Sequence, residues 1–190
     1  MLFDLIASET SPLSLSEEDV AALAACERGT ILLDVAARAD ATLIALTGTN
    51  GRITLSLRAG RLDGEQVLGA VGRPEGPSGA GSAGGIQRRV LDAEDALGLD
   101  DGRPHTIAVT VNETGTHLYA DGYECFSTTL TAFLAQIGLT DVRIDPDGIA
   151  AVTRLAAWAE PLSDRAVMAQ SLAATPLVQF AASELSARDA

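Results

Sequence analysis

Apolar and polar residues alternate along much of this chain with a period of two. The cleanest stretch is 52–58: Arg52, Thr54, Ser56 and Arg58 fall on one side, Ile53, Leu55 and Leu57 on the other. Such alternation marks a strand with one face in a core and the other in water. The stretch 41–46 reads as the preceding strand, with Thr49-Asn50-Gly51 as its turn, since Asn-Gly is a strong hairpin signal. The apolar run 30–36 reads as a further strand, and Ala59-Gly60 turns the chain back into 61–71. Strands are also expected over 105–111, 116–120, 123–127, 140–144 and 149–158, separated by turns at 112–115, 121–122 and 145–148. A short helix capped by Ser16 opens with Glu17, Glu18 and Asp19, whose charges suit the positive end of the helix dipole, and Gly29 is its expected stop. A second helix, capped by Ser163, is expected to run to about residue 172. Short strands with closely spaced turns predict an all-β, two-sheet antiparallel jelly-roll sandwich with short helices near its two ends. The expected organisation is a lead at 1–12, one domain over 13–172 with a flexible glycine-rich loop at 74–85, and a tail at 173–190.

Composition narrows what such a sandwich does. The chain has 190 residues, 47% hydrophobic but only 4% aromatic, so Ala, Val, Leu and Ile must fill the core and few flat rings remain for stacking. The formal charge of −13 repels phosphate backbones, which argues against nucleic acid as a partner. Every basic residue is arginine, a pattern that biased codon usage accounts for but that also suits carboxylate recognition. Cys26 and Cys125 are the only cysteines. They are one disulfide or two small buried hydrophobes, and too few for a metal motif. No basic segment leads into a long apolar run at the N-terminus, and no stretch has the roughly 18 apolar residues of a membrane span. The chain is thus expected to be cytoplasmic, or a domain of a larger secreted or cell-surface protein.

Three motifs carry a resemblance. Gly102-Arg103-Pro104-His105-Thr106-Ile107-Ala108 resembles the "G-x-x-H-T-I-A" strand of concanavalin A-like, laminin G-like lectin domains. Leu118-Tyr119-Ala120-Asp121-Gly122 is similar to the hairpin that follows it there. Arg154-Leu155-Ala156-Ala157-Trp158 with Pro161-Leu162-Ser163-Asp164 resembles the closing signature. Within that superfamily, the opening helix and Gly29-Thr30-Ile31 are similar to the N-terminal sialic-acid-binding lectin module of bacterial sialidases. The resemblance implies a non-catalytic carbohydrate-binding domain, for sialic acid or another glycan, beside a catalytic glycoside hydrolase domain of the parent chain. It also implies a site. A Tyr-Glu-x-Arg-like strand of the family aligns with Gly64-Glu65-Gln66-Val67, so Glu65 matches and Val67 stands where the arginine would be. A second family arginine comes from a loop that is shortened here to Asp145-Pro146-Asp147-Gly148, with Arg143 nearby.

The candidate glycan-binding residues are therefore Glu65, Arg58, Arg61 and Arg143. Arg52, Arg58 and Arg61 make either a basic stripe for an anionic sugar or solvated partners of nearby carboxylates. Asp121, Asp145 and Asp147 lie on turns and are candidate calcium ligands, or ordinary Asp turn residues. His105 and His117 face each other if the hairpin pairs them, which would make a metal pair, or they are ordinary strand residues. No nucleophile elbow is present, and the many carboxylates read as solvated charges, so no catalysis is expected. The competing readings are a jelly roll that has lost its sugar site and serves protein interaction or structure, and a small jelly-roll enzyme acting on a metabolite.

Overall fold

The structure is a computed structural model that describes residues 1–7, 13–69, 87–93, 98–129, 131 and 134–174, with 87–93 described as backbone. The expected glycine-rich loop at 74–85 and the tail beyond 174 lie outside the described residues.

Eleven strands are described, in two antiparallel sheets. They are β1 (Phe3–Ile6), β2 (Gly29–Ala36), β3 (Ala41–Gly48), β4 (Gly51–Arg58), β5 (Arg61–Leu68), β6 (Gln87–Ala93), β7 (His105–Val111), β8 (Thr116–Ala120), β9 (Tyr123–Thr128), β10 (Leu139–Ile144) and β11 (Ala151–Trp158). One sheet has the order β1-β11-β2-β7-β8-β9, the other β10-β3-β4-β5-β6. This is the expected jelly-roll sandwich. Ile31, Leu33 and Val35 of β2, Ile107 of β7 and Leu155 of β11 meet Ile44, Leu46, Leu55, Leu57 and Leu62 of the facing sheet in one core. That core is almost wholly aliphatic, as the scarcity of aromatic residues requires.

Helix α1 (Glu17–Ala24) has the expected cap: the Ser16 hydroxyl accepts from the Asp19 amide at 3.1 Å, and Asp19 closes the capping box. It ends at Ala25, short of Gly29. Gly29 instead opens β2 at φ 151°, where a Cβ would stand 2.2 Å from the Trp158 carbonyl oxygen. The glycine serves a close crossing of backbones, not a helix stop. A Gly29→Ala variant is expected to lose about 1–3 kcal/mol of stability, read by urea denaturation.

Two further features follow from pairing that local pattern does not encode. Residues 3–6, within the expected lead, form the edge strand β1, with Phe3 in the core. The turn at 145–148 does not close a hairpin; it carries the chain from β10 in one sheet to β11 in the other. Between β9 and β10 a single helical turn, α2 (Leu134–Ile137), sets Leu134 and Ile137 into the core.

Helix α3 (Asp164–Ala174) covers the outer face of one sheet. The Ser163 hydroxyl caps it, accepting from the Ala166 amide at 3.3 Å. It packs on the outer face of the six-stranded sheet, where Val167 joins Leu32, Ala108 and Tyr119, flanked by Trp158 and Leu162. The Tyr119 hydroxyl donates to Asp164 at 2.8 Å, and the Leu162 amide to the buried Thr30 hydroxyl at 2.9 Å. The resemblance motifs around His105, Tyr119 and Trp158 thus converge on this covered face. No helix among the described residues is long and apolar enough to cross a membrane.

Candidate functional site

The five-stranded sheet also has an outer face, and its register can be read strand by strand. Arg143 of β10 pairs with Ala45 of β3, Ala45 with Thr54 of β4, and Thr54 with Glu65 of β5. These four side chains share one face because directly paired residues point the same way. At about 4.8 Å per strand the row spans roughly 14 Å. A carboxylate stands near one end and a guanidinium at the other, over a floor of two small residues. The next row is Asp141, Thr47, Arg52 and Val67. On the far side lie Ser56 and Asp63, and beyond them Arg58 paired with Arg61.

This face is polar: its four arginines are exposed, Ala45, Thr54, Asp63 and Glu65 are half-buried, and Ser56 is buried. The Arg143 side chain is 72% exposed, and its Nε donates to Asp141 Oδ2 at 3.0 Å. Glu65 is more enclosed, at 21%, and its Oε2 lies 3.6 Å from Arg52 Nη2. Arg58 and Arg61 are both exposed. The strand positions of this face on β3, β4, β5 and β10 hold four arginines, at 52, 58, 61 and 143, against three carboxylates, at 63, 65 and 141. Their net charge is slightly positive in a chain of formal charge −13. No aromatic residue stands at these positions, so a ligand here would be held by hydrogen bonds and charge.

The structure therefore brings Glu65 and Arg143 into one row and leaves Arg58 and Arg61 at the end of the β4–β5 hairpin. Sequence reasoning did not single out Ala45 and Thr54 as the floor between them. The only signal for them was the alternation of the strands, which says nothing about which strands are neighbours. Arg52 is the direct cross-strand partner of Val67, so a guanidinium does stand beside that position, supplied by the adjacent strand.

The three aspartates proposed for calcium are not gathered. Asp145 (φ 43°) accepts from the Ile149 and Ala150 amides through Oδ1, both at 3.0 Å, and Asp147 accepts from the Thr42 amide at 3.2 Å. Asp121 lies on the β8–β9 turn of the other sheet, where Oδ1 accepts from the Thr106 amide at 2.9 Å. All three have turn or strand partners, and among the described residues no group of three or more metal-ligating side chains occurs.

The two histidines do not face each other. His117 is paired with Thr110, five positions along β7 from His105, and so lies on the opposite face by the pleat. His105 Nδ1 is 2.8 Å from Asp121 and Nε2 is 3.1 Å from Asp101. Burial would lower the His105 pKa, but the hydrogen bonds to these two carboxylates outweigh it and raise it. A histidine with a raised folded pKa stabilises fully below its unfolded value of about 6.5 and loses that contribution as pH rises through the folded value. The thermal midpoint of the wild type relative to His105→Gln is thus expected to fall as pH rises above about 6.5. A difference that stays constant there would contradict it. Cys26 and Cys125 are not bridged to each other; Cys26 is buried, which raises its thiol pKa, and the Cys125 thiol donates to the Leu118 carbonyl at 3.3 Å.

No family model matches the sequence, and no curated protein matches it. Solved structures do match. One is the CBM40 domain of the Ruminococcus gnavus IT-sialidase bound to α2,3-sialyllactose, 19% identical, with a TM-score of 0.62 over 90% of this chain and 98% of that one. The protein has the fold of a lectin jelly roll. The botulinum neurotoxin serotype C1 binding domain matches with a TM-score of 0.53 and 11% identity, over 84% of this chain. The binding domain of botulinum neurotoxin DC, solved in complex with SialylT, matches at 0.51 and 11%, over 77% of this chain. This jelly roll spans 39% and 36% of those two neurotoxin chains and nearly the whole of the sialidase module.

Proposed function

We propose that this jelly roll is a non-catalytic, lectin-like carbohydrate-binding module that holds a glycan on the outer face of its five-stranded sheet. The observation that carries the reading is the cross-strand row Arg143–Ala45–Thr54–Glu65. A carboxylate and a guanidinium flank a floor of short side chains on a sheet face that α3 does not cover. Glu65 accepts from sugar hydroxyls, and Arg143 donates to a hydroxyl or carboxylate of the ligand. The shared fold with a module solved bound to α2,3-sialyllactose supports the same class of ligand, with sialic acid as the specific candidate. In this reading the module works beside a catalytic glycoside hydrolase domain and keeps it near its substrate.

A glycan array, probed with folded protein in calcium and again in EDTA, tests the reading. Binding to sialylated or neutral glycans is expected, with equal signal in both buffers because Asp121, Asp145 and Asp147 already have protein partners. Folded protein that binds no glycan would sink the lectin reading and favour a jelly roll kept for protein interaction.

A further inference from the structure

His105 opens β7 with a carboxylate on each of its ring nitrogens. Nδ1 is 2.8 Å from Asp121 Oδ2, and Nε2 is 3.1 Å from Asp101 Oδ1. A neutral imidazole has one N–H and one lone pair, so it donates to only one of two carboxylates. Its other nitrogen would set a lone pair against an anionic oxygen. Holding both contacts therefore requires the doubly protonated, cationic ring. The two carboxylates belong to different elements. Asp121 is fixed in the β8–β9 turn: its Oδ1 accepts from the Thr106 amide at 2.9 Å, and its own amide donates to the Thr106 carbonyl at 2.7 Å. Asp101 lies on the loop 98–104. There the Leu99 amide donates to the Gly60 carbonyl at 3.1 Å and the Gly102 amide to the Ala37 carbonyl at 2.8 Å, with the Leu99 side chain in the core. Gly98 (φ 78°) and Gly102 (φ 80°) give this loop two hinges, since glycine changes conformation at little cost. Four other charged side chains stand around this centre among the described residues. Arg103 binds Asp101, its amide donating at 2.7 Å and its Nε lying 3.6 Å away. Arg38 lies against Gly102, Asp100 against Gly60, and Asp34 of β2 accepts from the Thr106 hydroxyl at 2.7 Å. The strand partner of His105 on β2 is the apolar Val35, and α3 meets Gly122 through Met168.

We infer that His105 is a pH-operated clasp: as an imidazolium it ties the loop 98–104 to the β8–β9 turn, and on losing a proton it lets that loop open. The neutral ring keeps its proton on Nδ1, because Asp121 is the nearer carboxylate and is fixed by its two bonds to Thr106. Nε2 then presents a lone pair to Asp101, and that contact breaks. Asp101 retains the Arg103 amide, so it moves with its own loop and not with the turn. Opening frees the Leu99 and Gly102 amides from their carbonyl partners and draws Leu99 from the core. Burial by itself would lower the His105 pKa, but the hydrogen bonds to Asp121 and Asp101 raise it, so the opening belongs above about pH 6.5.

Amide hydrogen exchange tests this, measured by NMR from about pH 5.5 to about pH 9 and corrected for the intrinsic rate. Protection of the Leu99 and Gly102 amides is expected to fall about tenfold, with the same midpoint as the titration of the His105 ring in the same samples. Thr106, whose amide donates to Asp121, and Ile107 within β7 are expected to keep their protection. In His105→Gln the side chain does not titrate, and protection of the two loop amides is expected to be low at every pH. Asp101→Asn leaves the His105–Asp121 contact in place. Its side-chain oxygen accepts from protonated Nε2 and its NH2 donates to bare Nε2, so the pH response is expected to shrink to under about twofold. Loop protection that is constant through the His105 titration in wild type overturns the clasp. So does a response that survives in either variant. A parallel loss at Thr106 and Ile107 would mean that the whole domain unfolds, and it overturns the clasp as well.

Discussion

Arg154→Met is expected to cost about 1–3 kcal/mol of folding stability, because it removes the cation of a half-buried cluster whose Asp4 end is exposed. Arg154 holds Asp4 with two hydrogen bonds of 2.8 Å, donates to Gln170 of α3 at 2.9 Å, and lies 3.9 Å from Asp34. It thereby ties edge strand β1, central strand β2 and the covering helix to β11. Its side chain is only 14% exposed, so water does not replace what it provides. Without it, Asp34 keeps the hydroxyl of Thr106 at 2.7 Å but loses its nearby positive charge. Burial already raises the Asp34 pKa, against the lowering by Thr106 and Arg154. For a carboxyl with a raised folded pKa, the destabilisation is full above that folded value and disappears below the unfolded one. The variant should therefore recover stability, relative to wild type, as pH falls from 7 toward about 4. Urea denaturation at several pH values reads both effects. Adding Asp34→Asn should restore part of the loss at pH 7, because the uncompensated charge is then gone. A loss under about 1 kcal/mol would mean that Arg154 behaves as an exposed surface pair.

Glu65→Ala is expected to weaken glycan binding by about 30- to 100-fold, the loss of roughly two charge-assisted hydrogen bonds. Stability should change little, since the carboxylate is on the outer face and its Arg52 contact is 3.6 Å long. Arg143→Ala should lose less, about tenfold, because the guanidinium is more exposed and its one described partner is Asp141. Calorimetry with the best array ligand, next to the thermal midpoint of each variant, separates contact from folding. Equal affinity for Glu65→Ala and wild type would place the glycan elsewhere on the molecule.

These outcomes depend unequally on what can be read in the chain. The alternation of 52–58 puts Arg52, Thr54, Ser56 and Arg58 on one side of β4, whereas Glu65 and Arg143 are picked out only by the family resemblance. The turns that need positive φ are legible too: Asp121-Gly122 and Ala59-Gly60 stand where the strands reverse. The caps at Ser16 and Ser163 are local hydrogen bonds between residues three apart, so the sequence alone places them. Gly29 looked like a helix stop because its real constraint, the Trp158 carbonyl, comes from a strand about 130 residues away.

The sequence by itself determined the fold class, the strand faces, most of the turns and the aliphatic nature of the core. All of these follow from short-range periodicity and from backbone conformations that few residues adopt. Only the tertiary structure decided which strands are neighbours. It joined Arg143, Ala45, Thr54 and Glu65 into a row, parted His105 from His117, kept Asp121 on a different turn from Asp145 and Asp147, and set Arg52 beside Val67. It also placed α3 over the six-stranded sheet and not over the five-stranded one. Strand order is chosen by how two sheets bury their apolar sides together, a long-range balance that no window of sequence contains.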